Sequence, residues 1–212
     1  MNRVRLVILL LVGMIGGAAA GHAQYFGVGL GRSFGDDLSA AATSIPSALN
    51  PFSAGIRKGN VLTLEGGGDF LRVMRAGVHY GYSRPEGFLT RGDAFGSSAD
   101  MELTAHTLTF DLGLHTPQAA GFRLFGVVGG GVGNFKVVEV PREVENPFPS
   151  GPPDQIVVPV VALGGGIEHQ FLAGVRWKVE VRDEYTRAPE DFFQPGGSWH
   201  RVLLSVGLTF GK

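Results

Sequence analysis

Apolar residues recur at every second position in eight stretches of this chain, near residues 24–34, 61–70, 76–84, 103–114, 122–137, 156–169, 174–186 and 199–210, each bounded by Gly, Pro, Asn or Asp. A period of two belongs to β-strands, whose successive side chains point to opposite faces. The seventh stretch, VRWKVEVRDEY, states it most plainly: Val175, Trp177, Val179 and Val181 share one face, and Arg176, Lys178, Glu180, Arg182 and Glu184 the other. In the eighth, His200, Val202, Leu204, Val206, Leu208 and Phe210 oppose Arg201, Ser205 and Thr209. The fourth sets Leu108, Phe110, Leu112 and Leu114 against Thr107, Thr109 and Asp111, and the first sets Phe26, Val28 and Leu30 against Gly27, Gly29 and Gly31. The fifth and sixth alternate too weakly for period alone to fix their registers.

Each stretch matches or exceeds the roughly nine to eleven residues that a tilted strand needs to cross a bilayer. The connections alternate in length: 35–60, 85–102 and 138–155 are long, 71–75, 115–121 and 170–173 short, and 187–198 intermediate. One end therefore has tight turns and the other has loops. The pattern predicts an all-β fold, an eight-stranded antiparallel transmembrane β-barrel with short periplasmic turns and long extracellular loops.

Register follows from energy. An Arg or Lys facing the bilayer midplane costs about 2–4 kcal/mol, so the charged row of the seventh stretch must face the lumen. By the same parity the lumen charges are Glu65, Asp69, Asp111, Glu168, Arg176, Lys178, Glu180, Arg182 and Arg201, five acids against four bases. Near balance predicts mutual pairing, and the interior of an eight-stranded barrel is just wide enough for side chains to fill it. The competing readings are a narrow porin-like conduit, since charge rings also line pores, and a soluble periplasmic barrel that holds an apolar ligand, which shows the same period with its apolar face turned in.

Two features favour the membrane. Lumen-facing glycines in the first stretch, with Gly triplets at 66–68, 129–131 and 164–166, make room in a narrow, curved barrel. The aromatics also sort by end, with Phe70, Phe122, Phe171 and Phe210 beside the short turns and Tyr82, Tyr185 and Trp199 near the loops, as two interfacial girdles require.

Composition sharpens the picture. Glycine supplies 34 of 212 residues, which disfavours helices, and charged residues only 17%. The net charge of -1, with bases and acids interspersed, gives no nucleic-acid footprint. The chain has no cysteine, which excludes disulfides, thiolate metal sites and a cysteine nucleophile. Arg3 and Arg5 precede an apolar run from Leu6 to Gly17 and then AAAGHA, the layout of a signal peptide spanning 1–23 and cleaved after Ala23, which leaves 24–212 as the barrel domain.

The chain ends SVGLTFGK, with Ser205, Gly207 and Phe210 spaced as polar, Gly and aromatic. This resembles the C-terminal assembly signal of outer-membrane barrels, with Lys212 where a terminal aromatic is usual. With the signal segment and the eight stretches, the chain resembles the small outer-membrane β-barrel domain family, typified by the transmembrane domain of outer membrane protein A and by the opacity proteins. The resemblance implies a monomer in the cell outer membrane, in contact with outer-membrane lipid and lipopolysaccharide, inserted by the barrel assembly machinery, with no cofactor and a structural or surface-recognition role.

Catalysis has one candidate, Ser198 and His200 on one face with Glu190 and Asp191 in the preceding loop. A Ser-Trp-His sequence at a girdle is equally an interfacial anchor, and the chain is read as non-enzymatic. His79, His106, His115, His169 and His200 show no metal-ligating spacing. The remaining functional surface is the long loops. Residues 35–60 accommodate a short amphipathic helix, and PREVENPFPSGPP at 141–153 has five prolines, with Phe148 between two of them.

Overall fold

A computed structural model describes residues 24–35, 52–91, 98–139, 155–187 and 198–211. The signal segment 1–23, most of the 35–60 loop and the proline-rich 141–153 lie outside the described residues. Eight strands follow in chain order: β1 Gln24–Gly35, β2 Phe52–Leu71, β3 Met74–Arg91, β4 Ser98–His115, β5 Phe122–Glu139, β6 Ile156–Leu172, β7 Val175–Arg187 and β8 Ser198–Gly211. Each pairs antiparallel with its sequence neighbours, and β1 closes on β8 to complete a barrel.

The alternation that defines the strands also sorts the two faces. On β7, Lys178, Glu180, Arg182 and Glu184 are buried and Val181 and Tyr185 exposed; on β8, Arg201, Leu203, Ser205 and Thr209 are buried, while Val202, Leu204, Val206, Leu208 and Phe210 are exposed. The exterior is a continuous apolar wall, with Leu30, Leu163 and Leu114 between 59% and 67% exposed. In water such a surface would far exceed what a monomer tolerates; against hydrocarbon it is the favoured arrangement. A soluble barrel around an apolar ligand would carry the opposite arrangement, and it is not the one found.

The registers left open by the sequence are fixed by pairing. Gly129, Gly131 and Gly133 of β5 stand opposite Ala162, Val160 and Val158 of β6, so Phe125, Phe135, Val158, Val160 and Ala162 point inward and Leu124, Val128, Val132, Val161 and Leu163 outward.

One boundary expectation is corrected. Residues 52–60, 85–91 and 98–102, read as loop from their Gly, Pro and Ser content, belong to β2, β3 and β4. The irregularity was real but local: pairing slips between Ile56 and Gly59, and Pro85 sits opposite Gly59 at that bulge, where a missing N–H is tolerated. The barrel consequently has a tall wall, β2 to β6 with 17 to 20 residues per strand, and a short one, β7, β8 and β1 with 12 to 14.

Candidate functional site: the lumen

β7 lines the lumen with a ladder of alternating charge, and Lys178, Arg182 and Glu184 each meet a partner on a strand across the barrel. Lys178 Nζ lies 2.6 Å from Glu65 Oε2 on β2 and 2.7 Å from Glu180 Oε2 on its own strand. Arg182 is 1% exposed and reaches β4 in a fork, its Nη1 2.7 Å from Asp111 Oδ2, with Nη2 donating to Asp111 Oδ1 at 2.9 Å and to Thr109 Oγ1 at 2.6 Å. Two parallel N–H···O bonds to one carboxylate give the strongest and most directional form of ion pair. Glu184 accepts from Thr107 Oγ1 at 3.1 Å and is paired with Arg201, whose Nη1 donates to Ser83 at 2.8 Å.

A second cluster closes the turn end. Glu168 has no exposed surface and takes both Arg75 Nη1 at 2.8 Å and Arg123 Nε at 2.7 Å, while Arg75 Nε contacts Asp69 at 3.4 Å. The Arg75 guanidinium stacks 4.4 Å above the Tyr25 ring. At the loop end the ionic layers give way to a cluster of Leu103, Ala105, Phe135 and Val158, all buried. Arg201 sits 5.9 Å from the Phe135 ring, at the boundary between the two.

Glycines make the packing possible. A Cβ on Gly27 would stand 2.5 Å from Glu65 Oε1, and one on Gly129 would overlap Asp111 Oδ1. The carboxylates that receive Lys178 and Arg182 occupy space that a side chain on β1 or β5 would fill.

Of the nine lumen charges named from parity, eight join these clusters. Arg176 is the exception: it is half-buried at the turn-end mouth and makes no ion pair among the described residues, because its register neighbours are Thr209 and Gln170. Tyr25, Arg75 and Arg123 were missed, and Glu184, recognised on the charged row of its strand, completes the network. Arg75 keeps lumen parity with Gly77 and His79, and Arg123 with Phe125; both lie at strand ends beside short turns, outside or at the edge of the alternating stretches.

Phe70, Phe122, Phe171 and Phe210 are each 41–48% exposed at the turn end, and Tyr185 is exposed at the loop end. Tyr82 packs 4.9 Å from the His106 ring, while the Trp199 side chain lies outside the described residues. Ser205 faces inward and Phe210 outward, and Gly207 would meet Val28 backbone if it bore a Cβ. His200 Nδ1 lies 3.0 Å from Asp183 Oδ2 on the outer wall, with Tyr185 against its ring. Glu190, Asp191 and the Ser198 side chain are outside the described residues.

The closed eight-stranded meander, apolar outside and ionic within, is the fold of the small outer-membrane β-barrels. Among solved structures it is similar to Neisserial surface protein A, at 10% identity and a TM-score of 0.58 over 90% of this chain and 99% of that one. It is also similar to the outer membrane protein OprG from Pseudomonas aeruginosa, at 12% identity and a TM-score of 0.57 over 91% and 96%. By sequence the chain matches no family model and no curated protein. At these identities the likeness is one of fold.

Proposed function

We propose that the chain is a non-enzymatic outer-membrane barrel, a rigid scaffold with a structural or surface-recognition role, and not a conduit. The observation that carries this reading is the filled lumen: two ion-pair clusters are seated on glycines, with a buried apolar cluster of Leu103, Ala105, Phe135 and Val158 on their loop side. A path for ions would have to break several buried pairs at once, and stranding one buried charge costs about 3–5 kcal/mol. The antiparallel meander also gathers the β1–β2, β3–β4, β5–β6 and β7–β8 connections at one end, where loops on a rigid support serve recognition. The name of Neisserial surface protein A agrees with such a placement.

Planar-bilayer recording tests the reading. The purified barrel is expected to give no steady current. Steady ion currents that disappear on changing Glu180 or Arg182 would establish a conduit instead.

A further inference from the structure

Two charges stand within the apolar surface of the short wall. Among the outward side chains of β7, β8 and β1 at 175–185, 202–210 and 26–34, only Arg32 and Asp183 are ionic. Arg32 is exposed between Leu30 and Phe34 on β1, opposite Leu204 and Asn60, and forms no ion pair among the described residues. Asp183 lies between Val181 and Tyr185 on β7. Its Oδ2 is 3.0 Å from His200 Nδ1, its Oδ1 has no hydrogen-bond partner, and no Lys or Arg among the described residues reaches it.

The two charges are level in the membrane. The row of paired residues that starts at Phe26 crosses β2 to β7 and reaches β8 at His200. Phe26 itself pairs across the barrel closure with Phe210, ten residues nearer the turn end than His200. Rows therefore climb by ten residues over eight strands, and a level path falls toward the turn end by about 1.25 residues at each strand. From Asp183 the row passes through Val202 to Phe34. Two strands along, the level path meets β1 about 2.5 residues below Phe34, at Arg32. The two side chains are roughly 10 Å apart around the wall, with Val202 and Leu204 of β8 between them.

Level placement has a consequence for symmetry. Two copies inserted with the same topology share a two-fold axis only if it runs along the membrane normal, and the interface it creates is isologous. Such an axis beside β8 carries the β7 side of one copy onto the β1 side of the other and changes no height. Opposite charges set level on either side of β8 are therefore self-complementary: Arg32 of each copy meets Asp183 of the other. Exposed Val202 and Leu204 lie at the axis, with exposed Leu30 and Phe34 beside them.

We propose that the β7–β8–β1 face is a homodimer interface within the membrane, closed by two reciprocal Arg32–Asp183 pairs that flank Val202 and Leu204. A charge facing lipid is unfavourable unless it finds a partner, and charge complementarity also fixes register and orientation. A lipid phosphate would satisfy Arg32 but be repelled by Asp183, whereas a second copy satisfies both. His200 holds Asp183 against the wall, ready for the incoming guanidinium. A dimer replaces the monomer that the family resemblance implies. The interface uses no lumen group and no loop, so it stands apart from the scaffold reading.

Energy transfer between labelled copies tests the interface. The full chain bearing Ala119→Cys, in an exposed short turn, is labelled with donor or acceptor dye, and the two are refolded together into phosphatidylcholine vesicles. Transfer is expected above the random-encounter level and should persist as lipid is added. Arg32→Asp alone and Asp183→Arg alone should each weaken association about tenfold or more. Mixing these two variants should restore transfer between them, since each offers the charge that the other lacks. A bulky label on Val181→Cys or Val206→Cys, on the same face, should displace the partner and leave the label in lipid. Heat-modifiable gel mobility verifies that each variant is folded, and Arg32→Gln and Asp183→Asn, which should weaken association without rescue on mixing, serve if a reversal does not refold. Transfer at the random level in the otherwise unchanged chain, or association untouched by the folded charge variants, overturns the interface. Reversal variants that associate no better mixed than alone overturn the reciprocal pairing.

Discussion

β7 and β5 flank β6 in the barrel wall and contribute opposite things to the same lumen. β7 sends in Lys178, Glu180, Arg182 and Glu184, while β5 sends in Phe125, Gly129, Gly131, Gly133 and Phe135 after a single charge at Arg123. One strand carries the ions and the other supplies the room and the lid. The carboxylate that Arg182 reaches, Asp111, lies against Gly129 of β5. The contrast teaches that a buried network in so narrow a barrel depends as much on the residues that are small as on the residues that are charged.

The sharpest way to break this division is to remove a rung. Arg182→Met leaves Asp111 without its fork and Glu180 and Glu184 without a shared cation. It is expected to destabilise the barrel by about 3–5 kcal/mol, read as a fall in the urea midpoint for unfolding from lipid vesicles. The neighbouring position inverts the logic. Val181 is 51% exposed on the outer wall, and Val181→Arg should cost about 2–4 kcal/mol near the bilayer midplane, by the same measurement, without touching any lumen pair.

Smaller effects come from β5. Gly129→Val must displace Asp111 and is expected to cost about 1–3 kcal/mol by overpacking. Its neighbour Gly130 faces outward, where a Cβ would meet nothing nearer than Val160 O at 4.0 Å. Gly130→Ala should therefore shift stability by no more than about 1 kcal/mol and in the stabilising direction, since it lowers the entropy of the unfolded chain. Equal losses from Gly129→Val and Gly130→Ala would show that the glycines serve strand geometry and not the network.

The same two strands explain how far the sequence could be read. β7, β8 and β4 alternate ionic or hydroxyl residues with Val, Leu and Phe, so their faces separate on inspection. β5 and β6 place Val, Gly and Phe on both faces, because both the lumen lid and the outer wall are apolar there, and parity carries no signal. Tyr25, Arg75 and Arg123 escaped for a different reason: they sit at strand termini, where turn composition hides the period. The tall wall was hidden by Pro85 and the glycines around it, which signal a turn in general and here mark a bulge within continuous strands.

The central claim is that β7 and β8 turn their valines and leucines to hydrocarbon and their ions inward. The chain has no cysteine, so single thiols can be introduced and labelled with a fluorophore. Labels at Val181→Cys and Val206→Cys in lipid vesicles should be strongly quenched by doxyl groups on the acyl chains, whereas thiols at Ser205→Cys and Thr209→Cys, buried in the filled lumen, should resist labelling. Thiols at 181 and 206 that resist the label, with labelled and quenched thiols at 205 and 209, would contradict the account.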